Sequence, residues 1–305
     1  MAMNRAQFKK QLQLGLNSVF GLEYKGIPEP WRKYLTVETE SQKAYVEDVM
    51  MSGFGLASVK TEGGAVGYDS ASEVYTARYL FETIAMAFAI TEEAEEDNLY
   101  GSIGRKLSRA QARSMKQTKA IKCANILNNG FDNTNYKGGD GVCLFSVSHP
   151  GFGGALRSNT LATPADFSET SLEDISIQIS QAEDYRGLPM PLTEKCVVVA
   201  PANKFVAQRT MYSDLRSDSA ENDLNAMKDL GMFPQGICVD RNLTDADAWF
   251  VITDCPDGLK HIVRKTISSK VEGDFESGNV RFRSRERYIN GWSDPFGAFG
   301  SAGAG

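Results

Sequence analysis

EVYTARYLFETIAMAFAI, residues 73–90, carries two apolar sets on alternating positions. Ile84, Met86, Phe88 and Ile90 fall on one face and Tyr75, Tyr79 and Phe81 on the other, the period-two pattern of a β-strand. Upstream, the chain from Val46 reaches the glycine pair Gly63 and Gly64, so residues 46–90 read as one long two-stranded hairpin folded back at those glycines. A ribbon of that length is marginally stable alone and leaves two hydrogen-bonding edges open. It must lie either on its own domain or on another copy of the chain.

Length and composition restrict the remaining choices. A chain of 305 residues can bury a sizeable core, and its 42% hydrophobic and 24% charged residues are those of a globular protein. No apolar run is long enough to span a bilayer, and Lys9, Lys10, Gln11 and Gln13 interrupt the amphipathic N-terminus, leaving no signal-peptide core. The formal charge of −6 argues against a surface built to grip nucleic acid all over. The five cysteines, Cys123, Cys143, Cys196, Cys238 and Cys255, are scattered without a CxxC spacing, which suits buried free thiols and a reducing compartment.

Residues 1–45, with the rigid segment Gly26-Ile27-Pro28-Glu29-Pro30-Trp31, read as an arm running over a surface. After an acidic cluster (Glu92, Glu93, Glu95, Glu96, Asp97), Ile103, Leu107, Ala110, Met115, Ile121, Ala124 and Leu127 recur at helical spacing, predicting one helix over 103–127 that Asn129-Gly130 ends. Arg105, Lys106, Arg109, Arg113, Lys116, Lys119 and Lys122 run along the whole helix, facing either phosphate or an acidic partner, or pairing with acids elsewhere in an assembly. Residues 132–163 read as a polar, glycine-rich loop. An α/β portion follows, with helices over 171–184 and 202–211 and strands over 195–201, 236–239 and 248–252. Further strands are predicted over 260–268 and 280–288, and the tail SDPFGAFGSAGAG reads as an end without structure of its own.

Candidate chemistry is sparse. With only His149 and His261 present, Cys143 and His149 form the one nucleophile and base pair to weigh, and no orienting acid is legible beside them. Asp240, Asp245, Asp247 and Asp254 lack the alternate-residue spacing of an EF-hand and read as turn residues. Glu92 and Glu96 are too generic a pair to define a glycosidase. No catalytic, cofactor or metal constellation emerges, which points to a protein that works by assembling.

Six stretches in order carry a resemblance: YLTVETESQKAYVEDVM (34–50), YDSASEVYTARY (68–79), AITEEAEEDNLY (89–100), LFSVSHPGFGG (144–154), ENDLNAMKDLGMFP (221–234) and VEGDFESGNVRFRSRERYINGWSDPFGAFG (271–300). The chain resembles the major capsid proteins of tailed bacteriophages, over nearly its whole length. The resemblance implies an α+β, Hong Kong 97-like capsid fold with an N-terminal arm (1–45), an extended β-hairpin loop (46–90), a peripheral domain with a long spine helix (91–141), an axial α/β domain (142–255), and return strands with a C-terminal tail (256–305).

It further implies a non-enzymatic shell protein, without cofactor, that forms pentamers and hexamers with copies of itself. The shell would enclose double-stranded DNA held weakly and non-specifically, be assembled in the host cytoplasm, and be joined by cement, scaffold and portal proteins. Inter-subunit contacts are expected at Trp31, Lys60, Gly63, Gly64, Tyr68, Arg283 and Arg285. Some relatives cross-link a lysine to an asparagine; Lys60 with Asn279 or Asn290 shows no specific match to that chemistry. An encapsulin-like cellular compartment shell and a Cys/His hydrolase are the alternative readings.

Overall fold

The computed structural model describes residues 5–40, 43–91, 100–215, 224–273 and 278–304. Helix α1 (Arg5–Gly26) lies along α2 (Tyr100–Asn128), burying Leu16, Phe20 and Tyr24 at four-residue intervals against Ala112 and Met115. At Gly104 a Cβ would meet Leu16 and Ile90 side-chain atoms at 3.4 Å, and Ser108 Oγ donates to the Leu16 carbonyl at 3.1 Å. Small residues, not the aliphatic ones, therefore line the upper contact face of α2. Ile103, Leu107 and Ile121 of the expected stripe are exposed, while Met115, Ala124 and Leu127 are buried.

Two four-stranded sheets flank these helices. The first runs in the order β1 (Thr36–Thr39), β10 (Leu259–Gly273), β11 (Val280–Trp292) and β4 (Glu82–Ile90), antiparallel except for the β1 and β10 pair. One face sends Phe282, Ile84 and Phe88 against α1 and α2. The second sheet runs β12 (Ala298–Ser301), β9 (Trp249–Thr253), β7 (Glu194–Val199) and β8 (Ile237–Val239). Both its faces are covered, which explains the continuous apolar runs. Cys196, Val198, Phe250 and Ile252 face the core containing Cys123 and Leu127 of α2, while Val197, Val199, Trp249 and Val251 face α3 (Glu169–Ser180) and α4 (Lys204–Tyr212). Ser168 caps α3, with its side chain accepting from the Ser171 N–H. The short α5 (Ala226–Leu230) completes this portion.

Four expectations are corrected. The strand read over 74–90 is two: β3 (Glu73–Leu80) pairs with β2 (Tyr45–Met51), then the chain passes Phe81 and β4 joins β11 in a different sheet. Their unbroken alternation hides the change of partner. Tyr34 and Leu35, read as part of a surface segment, are buried with Trp31 in the main core. The 132–163 loop buries Leu144, Phe145, His149 and Asn159, because Asn159 satisfies backbone groups internally; its Nδ2 lies 2.7 Å, 2.9 Å and 3.0 Å from the carbonyls of Leu144, Pro295 and Ala298. Finally, the C-terminal residues are structured: Phe296 and Phe299 enter the core and β12 pairs with β9, the chain fitting only because Gly297 packs directly on the Gly258 backbone. The acidic cluster at 92–97 lies outside the described residues.

Candidate assembly surface

Strands β2 and β3 form a two-stranded ribbon whose base is locked to the body. Ser52 N–H donates to the Ser72 carbonyl at 2.8 Å as the ladder ends. Along the ribbon, Ser293 Oγ donates to Asp48 Oδ2 at 2.7 Å, which leaves it to accept from the Tyr79 hydroxyl at 2.6 Å, and the Tyr75 hydroxyl donates to the Ser293 carbonyl at 2.9 Å. Lys260 Nζ, on β10, sits 2.8 Å from Asp48, 3.0 Å from Asp257 and 3.5 Å from Glu38. Burial lowers an ammonium's pKa, yet the hydrogen bonds to Asp48 and Asp257 outweigh it and hold Lys260 above the ordinary lysine range. Close packing completes the joint: a Cβ on Gly139 would lie 2.7 Å from the Tyr75 ring, and one on Gly291 2.3 Å from the Tyr79 ring.

Beyond Ser52 the chain makes a long excursion, residues 53–71, without strand pairing. The two limbs are tied by Gly55 N–H donating to Asp69 Oδ2 at 2.7 Å; Arg186 of the α/β portion donates to the Ser70 carbonyl at 2.6 Å and lies 3.8 Å from Asp69. Backbone hydrogen bonds from Gly55 and Ser70 hold the Asp69 carboxyl below its ordinary range. The tip turns at Thr61 to Gly64, where Gly63 takes φ of 73°, a left-handed conformation that favours glycine. This excursion exposes Phe54, Leu56, Val59, Val66 and Tyr68, with Val59 at 95% and Tyr68 at 100% of full exposure. A fixed base carrying a polar turn between apolar, uncovered limbs is a surface built to be covered by another molecule.

The expected contact residues divide accordingly. Lys60, Gly63, Gly64 and Tyr68 share the excursion, and Arg283 and Arg285 lie on the sheet face of β11 turned away from the helices. Trp31 is withdrawn from the surface: it is 1% exposed and its ring packs 4.6 Å from that of His261. The exposed Phe54, Leu56, Val59 and Val66 lacked a periodic signal, since no regular element orders them. Asn290, weighed as a cross-linking partner, has its Oδ1 accepting from His261 Nδ1 at 2.5 Å.

The basic residues of α2 are largely consumed inside the chain. Arg113 pairs with Glu23 at 2.7 Å, Lys116 with Glu29 at 2.8 Å, Lys119 with Glu286 at 2.6 Å, and Lys122 with Glu82. The hydrolase arrangement does not form. His149 Nδ1 faces Asp140 at 2.6 Å and Nε2 faces Leu144 O and Asn159 Oδ1 at 3.2 Å each, while Cys143 Sγ donates to the Phe145 carbonyl. Burial also pushes the Cys143 thiol up, away from a reactive thiolate. Asp245 accepts from the Asp247 N–H within its own turn, while Asp240 accepts from the Tyr34 hydroxyl and Asp254 from Thr193, tying distant segments together, so these acids serve structure. Among the described residues no cluster of three or more His, Cys, Asp or Glu could hold a metal.

A two-sheet body with a spine helix and a projecting loop defines the Hong Kong 97-like class of shell proteins. In the same fold are the virus-like particle of Pyrococcus furiosus (13% identity, 94% of this chain and 97% of that chain, TM-score 0.53), the capsid of Cyanophage P-SCSP1u (11%, 88% and 86%, 0.52) and the capsid of Myoviridae phage XM1 (10%, 89% and 90%, 0.51). No curated protein matches the chain by sequence. The phage capsid protein family matches residues 74–300, most of the chain, and the chain belongs to that family. Its setting is therefore the virion.

Proposed function

We infer that this chain is the major capsid protein of a tailed phage, self-assembling into the icosahedral shell that encloses a double-stranded DNA genome. The observation that carries the reading is the anchored excursion at 53–71, whose apolar limbs its own chain leaves uncovered, in a member of the phage capsid family. Residues 1–45 serve as the arm, 46–90 as the extended loop, 91–141 and 256–305 as the peripheral domain, and 142–255 as the axial domain that meets its copies in pentamers and hexamers. Lys60, Gly63, Gly64 and Tyr68 contact a neighbouring copy. Assembly takes place in the host cytoplasm, with scaffold, portal and cement proteins as partners and DNA held weakly. Many individually modest contacts per subunit, made simultaneously, close such a shell.

Electron microscopy with sedimentation of the purified chain, beside a variant lacking residues 58–68, tests this. The full chain is expected to form closed shells or capsomer rings, and the deletion to stay soluble without closing. Normal shells from the deletion would overturn the role of the loop. Shells that hold an enzyme in place of nucleic acid when isolated from their source would overturn the viral reading.

A further inference from the structure

The first sheet has one face packed on helices; on its other face the ribbon of β2 and β3 covers Ile289 and Gly291, and the stretch of β11 over 281–287 that stays exposed or half-buried is patterned. On β11, Val280, Phe282, Ser284, Glu286 and Tyr288 point inward and are buried, which sets Arg281, Arg283, Arg285 and Arg287 in a column on the opposite face. Their spacing is about 7 Å, two residues of a strand. Register places Ala89, Ala87, Ala85 and Thr83 of β4 directly beside these arginines, in that order. On the other flank, β10 sets Glu272, Lys270, Ser268 and Lys265 opposite the same four. The face is thus a cationic ridge beside a shallow trough of small, uncharged side chains.

Three of the four arginines of the ridge lack an acidic partner within the described residues. Among the described residues no carboxylate lies within ion-pair distance of Arg283, Arg285 or Arg287; Glu272, whose carboxylate Arg283 influences electrostatically, pairs with Lys270. The Nε atoms of Arg285 and Arg287 are buried without a hydrogen-bond partner. The contrast with α2 is sharp, since Arg113, Lys116, Lys119 and Lys122 of that helix all pair with acids of the same chain. Unpaired buried donors carry a cost that a docked acceptor removes. The chain bears 39 acidic against 33 basic residues, so concentrating arginines on one face leaves the remaining surface richer still in carboxylate. Copies of such a chain are complementary head to tail.

We propose that the arginine column of β11, with the alanine trough of β4, is the seat of an extended carboxylate-bearing segment of a second copy of this chain. The inference rests on the shell reading above and adds the receiving surface to it. Guanidinium groups bind carboxylates through two parallel hydrogen bonds, and alanines let the incoming backbone approach closely. An extended segment bears same-side carboxylates at the same spacing of about 7 Å, so neighbouring arginines can each take one. A duplex held firmly by this ridge would resist release, whereas a protein contact at a fixed place in the shell gains from it.

The test compares full-length protein with Arg283→Glu/Arg285→Glu and Arg283→Lys/Arg285→Lys, measuring the concentration needed for shell formation by sedimentation, the salt dependence, and the nucleic acid content of the particles. Circular dichroism and thermal unfolding of the subunits check that each variant folds. The glutamate pair is expected to raise the assembly concentration at least about tenfold with unfolding unchanged, and the lysine pair to fall between it and the parent. Unchanged assembly of a folded glutamate variant overturns the proposal, while leaving the shell reading intact if the parent still assembles. Normal assembly with only a loss of bound nucleic acid assigns the column to DNA and overturns it equally. If the glutamate pair does not fold, the lysine pair decides by the same readouts, and assembly indistinguishable from the parent sinks the idea. Failure of the parent to assemble at all removes the shell reading and this inference together.

Discussion

Lys119 Nζ lies 2.6 Å from a carboxylate oxygen of Glu286 and 2.7 Å from the Tyr24 hydroxyl, joining α2, β11 and α1 at one buried point. Lys116 covers the face of the Tyr24 ring at 4.2 Å and pairs with Glu29. Burial and the neighbouring Glu286 carboxylate push the Tyr24 hydroxyl far above the ordinary tyrosine range, so it stays protonated and donates to that carboxylate. Removing one member of a buried ion pair strands the other. Lys119→Met is expected to destabilise the subunit by about 3–5 kcal/mol, whereas Lys119→Met with Glu286→Leu loses much less. Urea unfolding of the two variants measures the difference; equal losses would mean that the pair itself supplies the stability.

This cluster also shows where sequence reading stops. The strands over 195–201 and 248–252 were legible because both faces of the central sheet are buried, leaving β-branched and aromatic runs with no polar interruption. The extent of α2 was legible from helical spacing and its glycine end, but its contact face was not. Lys116 and Lys119 are buried because acids from residues 29 and 286 come to meet them, and no local pattern announces a distant partner. Likewise the closing tail was hidden by its glycines, which read as flexible until Gly297 is set against Gly258. Of the candidate assembly surface, the glycine turn was visible and the arginines alternate along a predicted strand; the alanine trough beside them needed the register of β11 on β4.

His261 gives the subunit a calculable pH dependence. Its ring is packed between Trp31 and Tyr288, and burial lowers its pKa from 6.5 to about 4. Between those values the unfolded chain binds a proton that the folded chain refuses, so stability falls as pH drops through this window. The slope from this one group approaches about 1.4 kcal/mol per pH unit, or about 3 kcal/mol in all. Unfolding free energies measured from pH 6.5 to 4 should fall less steeply in His261→Gln than in the parent. Parallel curves would show that the imidazole is already charged in the fold.

Acid should loosen the ribbon base before the central sheet. Burial alone would raise the Asp48 pKa, but hydrogen bonds from Lys260 and Ser293 outweigh it and leave the carboxyl below its ordinary 3.8. Its contribution is therefore complete above that value and is lost as pH falls through the lower, folded one. Limited pepsin digestion across a falling pH series is expected to cut first within residues 45–80, and Asp48→Asn to make the same cuts at the upper end of the series. First cleavage within β9 would contradict the order.

Gly291 couples the body to the projecting loop through a steric contact. A Cβ there would lie 2.3 Å from Tyr79 Cε1 and 2.8 Å from Cδ1, closer than side chains tolerate, and the Tyr79 hydroxyl is held in place by Ser293. Gly291→Ala must push the ring aside, break that hydrogen bond or bend β11. Overpacking of this kind costs about 1–3 kcal/mol. The second change, Tyr79→Leu, removes the clashing ring edge and should restore part of the loss. If displacement of the ribbon is what matters, Gly291→Ala will also impair shell closure at temperatures where the subunit remains folded, and Tyr79→Leu in the same chain will recover closure less fully than stability, because the tie to Ser293 stays absent. Denaturant unfolding together with sedimentation of assembly reactions separates the two effects, and full stability in Gly291→Ala would show that the ribbon base yields without cost.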